Sequence, residues 1–190
     1  MHALEDPSID EIDSERLRLR PLRRGDASEL HRAILETLPD LCRWLPWARP
    51  GHGKLDTRRY LRGVRLGWSR RIALEFGLEE RTSRELVGVT SLHRIDWSRR
   101  CAGLGYWIRR SRWGEGLARE AAEATLGHGF SRLGLHRIEI QVAVGNHASH
   151  AVAAKLGARR EGLARDSEIV DGAYLDHVQY SLLSTDRVWP

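Results

Sequence analysis

The feature that most constrains this chain is a change of period near its middle. Leu104, Tyr106 and Ile108 alternate as a half-buried strand does, whereas Ala118, Ala122, Leu126, Phe130 and Leu133 recur at three and four positions. The second pattern predicts an amphipathic helix of about four turns. Between the two lies Arg109-Arg110-Ser111-Arg112-Trp113-Gly114-Glu115-Gly116-Leu117-Ala118. Glycines in such a turn let the backbone approach a ligand closely, and the free N–H groups at a helix start favour an anion. Arg109 and Arg112 could add charge to a pyrophosphate site there. The stretch is not an NTPase phosphate loop, because no Gly-Lys-Ser/Thr follows. Nor is it a dinucleotide fingerprint: a third glycine is missing, and the preceding strand closes a meander instead of opening a parallel unit.

The rest of the chain fits one domain around that turn. Leu17 and Leu19 alternate with arginines in a strand stopped at Pro21. Asp26 and Glu29 form a capping signal before Ala27, Leu30 and Ile34, which share a helical face. After the loop holding Trp44-Leu45-Pro46-Trp47, Asp56 or Thr57 can cap a second helix with Leu61, Val64 and Trp68 inside. Ile72, Leu74, Phe76 and Leu78, then residues 86–92, then Leu104, Tyr106 and Ile108 read as three antiparallel strands. Past the long helix come a strand with Ile138, Ile140, Val142 and Val144 and a short helix with Ala148, Val152 and Leu156, closed by Gly157. An Asp171-Gly172 hairpin leads to a last strand with Val178, Tyr180 and Leu182 on one face. The expected architecture is a single α/β (α+β) domain over 1–190, with a mixed, mostly antiparallel sheet and a flexible segment at 1–13.

Composition removes several function classes. Hydrophobic residues at 41% and charged residues at 30% describe a globular chain rather than a disordered one. No stretch approaches the roughly 18 apolar residues of a membrane span, and the acidic first twenty residues do not resemble a secretory signal, so a cytoplasmic protein is expected. Cys42 and Cys101 provide neither a disulfide framework nor metal-ligand spacing, and no metal is assigned. The net charge is +5, but the basic residues are scattered and all are arginine except Lys54 and Lys155. That dispersion argues against a nucleic-acid surface while still favouring anionic ligands.

Several further segments carry a resemblance. Leu104-Gly105-Tyr106-Trp107-Ile108, the loop ending Trp113-Gly114-Glu115-Gly116-Leu117-Ala118, and Glu120-Ala121 resemble the acetyl-CoA-binding motif of the GNAT N-acetyltransferase superfamily. Leu135-His136-Arg137-Ile138-Glu139 and Asn146-x-x-Ser149-x-x-Val152-x-x-Lys155-Leu156-Gly157 are similar to its next motif, in the RimJ/RimL branch that acetylates ribosomal-protein N-termini. Trp44-Leu45-Pro46-Trp47, Glu161-Gly162 and Asp176-His177 also fit that branch. There are two departures: Ser111 stands where the superfamily carries Gln or Arg, and Ala158 replaces an aromatic.

The resemblance implies acetyl-CoA as donor, no metal, and a splayed pair of parallel strands that admits its pantetheine arm. Ile108 and Arg109 would face pantetheine, and Arg112, Trp113, Gly114, Glu115, Gly116, Leu117 and Ala118 would cradle the pyrophosphate. Asn146 would contact the pantetheine arm, and Lys155 belongs to the same donor motif. Ser149 is the candidate acid for the leaving thiolate, with helix capping as its alternative role. Glu168 is the candidate base, with Glu161 as its rival and a solvated strand carboxylate as the bland reading. His93, with Trp97 nearby, is a second candidate at the acceptor side or a structural histidine. Trp44 and Trp47 either wall the substrate entrance or belong to the core. His147 and His150 read as solvent-facing. The implied acceptor is a primary amine, most specifically a ribosomal-protein N-terminus. A small-molecule amine and a non-catalytic CoA-binding module are the alternatives, and a homodimer is implied by resemblance alone.

Overall fold

The computed structural model describes residues 11–189. It contains β1 (Ile12–Asp13), β2 (Leu17–Pro21), α1 (Ala27–Leu41), α2 (Lys54–Arg70), β3 (Ala73–Glu80), β4 (Leu86–Asp96), β5 (Cys101–Ile108), α3 (Leu117–Gly127), β6 (Arg137–Ala143), α4 (His147–Lys155), β7 (Arg159–Val170) and β8 (Ala173–Leu183). The strands form one sheet in the order β1-β2-β3-β4-β5-β6-β8-β7. Every pairing is antiparallel except β5 with β6. Most of the flexible segment expected at 1–13 lies outside the described residues. Its last two positions are strand, with Ile12 opposite Leu19 and Asp13 opposite Arg18.

Alternation in the strands feeds two cores. Leu74, Phe76, Leu78, Leu92, Leu104 and Ile138 pack with Leu117, Ala121, Ala122 and Leu126 of α3. A second cluster joins Leu30, Ile34 and Leu41 of α1 to Leu61 and Val64 of α2 and to Val89 of β4. Each fully buried leucine or phenylalanine contributes about 1.5–3 kcal/mol. The long helix continues past Gly127 as a π turn, His128–Arg132, before β6 begins. The crossover β5–α3–β6 is therefore what allows the parallel pair.

Two predicted helix starts are built differently. Asp26 does not cap α1: its carboxylate accepts from both terminal nitrogens of Arg20 at 2.9 and 3.0 Å and from the Arg23 amide at 2.6 Å. Glu29 instead accepts the Leu86 amide at 2.7 Å. A bidentate guanidinium outcompetes a helix amide for the same carboxylate. Asp56 lies three residues inside α2 and accepts the amide of Gly53, the actual N-cap, at 2.9 Å.

The parallel pair is short. Only Cys101, Ala102 and Gly103 pair with Arg137, Ile138 and Glu139. β5 stays paired with β4 up to Ile108, and β6 stays paired with β8 from Arg137 to Ala143. Each strand is thus held on its outer side, and the two part beyond Gly103 and Glu139.

Candidate active site

The gap between the parted strands is a cavity of about 750 Å³. Its β5 wall is Leu104, Gly105, Tyr106, Trp107 and Ile108, and its β6 wall is Ile140, Gln141, Val142 and Ala143. In the parted stretch, backbone groups of β5 that point away from β4 have no β6 partner, so the gap is lined by main-chain donors and acceptors.

One end of the cavity is the glycine turn. Gly114 and Gly116 both sit at φ +81, the left-handed region where a side chain is strained, and no atom crowds Gly114. Gly116 is the N-cap of α3 and the first intrahelical bond runs from Glu120 N to Gly116 O at 3.2 Å. The amides of Leu117, Ala118 and Arg119 therefore have no acceptor within the helix. Glu120 does not fold back to cap them; its carboxylate takes the Arg16 amide and the Ser14 hydroxyl, each at 2.7 Å. Arg112, Trp113, Gly114, Gly116, Leu117 and Ala118 line the cavity, together with Ile108. Trp113 is anchored by its Nε1, which donates to the Ile108 carbonyl at 2.7 Å.

The arginines of this turn differ from the sequence expectation. Arg109 points away from the cavity to Glu36, with Nε 3.0 Å and Nη2 2.5 Å from the same oxygen, and to Glu85. Arg112 reaches Glu80 at 2.5 Å and both oxygens of Glu115 at 2.9 Å. Hydrogen bonding from Arg109 and Ser111 lowers the Glu36 carboxyl to about 2, and Arg112 does the same to Glu80. Two guanidinium groups thus face the four carboxylates of Glu36, Glu80, Glu85 and Glu115. Glu115 is spent on Arg112 and, like Arg109, is absent from the cavity wall. These side chains brace the turn: Glu36 Oε1 accepts the Ser111 amide at 2.6 Å, and Thr37 accepts the Arg110 amide at 3.1 Å. Arg112 stays on the wall but is matched by Glu80 and Glu115, and further positive charge there comes from Arg43, Arg119 and Lys155 of α4.

The α4 wall brings Asn146, Ser149 and Lys155 onto the same cavity. Asn146 is the cap of this helix, its Oδ1 accepting the Ser149 amide at 3.2 Å. The capping alternative considered for Ser149 therefore belongs to Asn146. Ala148 also lines the cavity and is exposed, while Ala153 and Leu156 make the buried contact. Tyr106 crosses from β5, its hydroxyl donating to the Ser149 carbonyl at 3.4 Å, and burial pushes its pKa up to about 12. His150 is not simply solvent-facing: its Nδ1 lies 2.9 Å from the Tyr180 hydroxyl.

Of the residues expected at the acceptor side, Trp44 lines the cavity and Trp47 does not. Trp47 packs on Tyr60, with centroids 5.6 Å apart, in the core under α1 and α2. Trp97 is turned away, its Nε1 donating to the Arg71 carbonyl at 2.7 Å. His93 lies across β5, where a Cβ on Gly103 would come within 2.6 Å of its Nε2. Burial lowers its pKa to about 4, so it stays neutral, and it does not line the cavity. Glu168 is exposed on β7, with its carboxylate accepting the adjacent Ile169 amide at 3.2 Å, away from the cavity wall. Glu161 is bound by Arg137 and Ser181, which hold it near 2. The group that faces the cavity from this hairpin is His177, which β8 carries opposite Ala143. The sequence carried it in the Asp176-His177 pair and on the face of β8 opposite Val178, Tyr180 and Leu182, with no role attached.

Among the described residues no group of three or more His, Cys, Asp or Glu is placed to hold a metal, and no helix is long and apolar enough to cross a membrane.

Comparison with known proteins agrees with this geometry. Residues 16–159 match the model of the acetyltransferase (GNAT) domain. YdaF of Bacillus subtilis (strain 168), provisionally named a ribosomal N-acetyltransferase, is 35% identical over 178 residues, 93% of this chain and 94% of that protein. The ribosomal-protein-serine acetyltransferase of Escherichia coli (strain K12) is 29% identical over 163 residues, covering 86% and 90%. The structure of Mycobacterium smegmatis RimJ in complex with a CoA-disulfide superposes with a TM-score of 0.84 at 31% identity, covering 96% of this chain and 90% of that one. The chain belongs to the GNAT acetyltransferase family and is an N-acetyltransferase of the RimJ/RimL-like type.

Proposed function

We propose that the chain transfers the acetyl group of acetyl-CoA directly to the α-amine at a protein N-terminus, a ribosomal protein being the acceptor that its relatives' names suggest. The observation that carries this reading is the parting of β5 from β6 immediately beside the unsatisfied N-terminus of α3. An extended polar arm fits main-chain groups left without a partner strand, and a diphosphate fits amides at a helix start. The left-handed glycines add no side chain of their own at that start. Amides of Leu117, Ala118 and Arg119 would hold the diphosphate, with Arg119 and Lys155 supplying charge, and the β5 edge from Leu104 to Ile108 would take the arm.

The roles of the remaining residues follow from where they sit. Main-chain N–H groups of β5 would polarise the thioester carbonyl as preorganised donors do. Ser149, whose hydroxyl is free of the capping duty, would hand a proton to the leaving sulfur. Trp44, packed near Gly145 and with Arg43 4.9 Å over its ring, would wall the acceptor's entry.

The test is thiol release from acetyl-CoA with Ser- and Ala-terminated peptides, the same peptides blocked at the N-terminus, and a panel of small amines. Release with free but not blocked peptides is expected. Faster release with small amines would move the acceptor to that class, and acetyl-CoA binding without any release would make the chain a binding module.

A further inference from the structure

Resting on that reading of the site, we propose that His177 takes the proton from the acceptor's ammonium group and that Ser167 aims its ring. His177 is 8% exposed, yet it forms part of the cavity wall. Its Nδ1 lies 3.0 Å from the Ser167 hydroxyl oxygen. Among the described residues this is the hydrogen-bond partner the ring has, and it engages one nitrogen only.

The pair exists because β7 is bulged. Ala164 faces His177 and Glu168 faces Leu175, so residues 165–167 stand against Asp176 alone. Asp166 takes φ +48, and its amide donates to Asp176 Oδ1 at 2.8 Å, which closes the bulge. A regular ladder would leave no extra residue on β7 to reach the ring. With Nδ1–H donating to the serine oxygen, Nε2 keeps its lone pair for the cavity.

The step balances with groups already present. One ammonium proton passes to Nε2, and the freed nitrogen lone pair forms the C–N bond at the thioester carbonyl carbon. The C–S bond breaks with its electron pair going to sulfur. The second proton, released as the amide forms, travels through the Ser149 hydroxyl to that sulfur. Histidine then returns its proton to solvent.

This chemistry selects an acceptor class. An α-ammonium gives up its proton to a given base about 2.5 pH units more readily than a lysine ammonium does. The site therefore favours α-amines over lysine side chains. Asp40 and Arg43 from α1 and its following loop, Tyr106 from β5, and Arg112 and Arg119 around the glycine turn share the cavity with His177. His147 and Lys155 do so from α4, and Asp176 and Asp166 flank it on the hairpin.

The experiment measures kcat/KM for a Ser-terminated peptide from pH 6 to 9.5, alongside acetyl-CoA affinity by calorimetry. His177→Ala should lose about a hundredfold in kcat/KM at neutral pH, the scale of a positioned base, with acetyl-CoA affinity within twofold of wild type. Activity should then climb with pH toward the amine's own ionisation, and added imidazole should restore part of it. Ser167→Ala should lose a few-fold and displace the acid limb of the profile. His177→Gln, which keeps a polar side chain, guards against misfolding and should behave as the alanine variant does. His177 variants within threefold of wild type across the pH range, with an unchanged profile, would overturn the proposal. A wild-type chain that releases no thiol with any amine overturns the acetyl-transfer reading itself.

Discussion

The glycine turn and the β7–β8 hairpin both face one cavity, and they are built by different means. At the turn the ligand-facing groups are main-chain amides, exposed because Gly114 and Gly116 sit at φ +81 and because α3 has no side-chain cap. The arginines beside them serve as braces, tied to Glu36, Glu80, Glu85 and Glu115. At the hairpin the facing group is a side chain, His177, and its aim depends on a bulge in the neighbouring strand. A site made of backbone tolerates change in its side chains; a site made of one side chain does not. Donor recognition should therefore respond to backbone strain, and acceptor chemistry to single side-chain losses.

The comparison breaks most sharply if Gly116 is replaced. Gly116→Val forces a β-branched residue into the left-handed region at a cost of about 1–2 kcal/mol. Acetyl-CoA affinity measured by calorimetry should fall about tenfold or more, while an equivalent loss in the hairpin variants would erase the distinction. Next in size is the brace. Glu36→Gln loses the ion pair with Arg109, and the KM for acetyl-CoA should rise about fivefold with kcat for the acceptor peptide nearly unchanged.

The brace also carries a pH signature. Glu36 and Glu80 are held near 2, below the usual range for an unfolded glutamate, about 4.3. Depressed carboxyls stabilise the fold fully above that unfolded value, and the stabilisation is lost as pH falls through about 2. The melting temperature of wild type should therefore drop between about pH 4.5 and 2, and Glu36→Gln should drop less steeply over the same window. On the hairpin side, Asp176→Ala removes the acceptor that closes the bulge, and peptide kcat should fall about threefold with acetyl-CoA affinity untouched. Smallest of all, Trp97→Phe loses one hydrogen bond to Arg71, worth about 1 kcal/mol of stability. Kinetics should stay within twofold of wild type.

The contrast between turn and hairpin also explains what could be read from residues alone. The switch from alternation to a three-and-four repeat across Gly114 and Gly116 locates a strand, a turn and a helix, because backbone conformation is encoded locally. The short parallel pair agrees with the expected fold, and Asn146, Ser149 and Lys155 share one wall. Side-chain partners are not local. Arg109 looked like a phosphate ligand until Glu36, 73 residues earlier, came beside it. Asp26 carried a capping pattern, but Arg20 claimed its carboxylate. His93 was the more visible histidine, at the end of a central strand, and Gly103 of β5 leaves room for its ring there, half-buried. Ser167 reaches the His177 ring only through the offset between β7 and β8, which alternation within either strand cannot reveal.

The most direct measurement is hydrogen exchange, followed by mass spectrometry, on the protein with and without acetyl-CoA. Protection is expected in peptides covering residues 113–119 and 104–108, with the acceptor hairpin at 164–177 and helix α2 little changed. Protection confined to other regions, such as the charged hollow lined by Arg18, Arg20, Asp26 and Glu79, would contradict a donor site at the parting of β5 and β6.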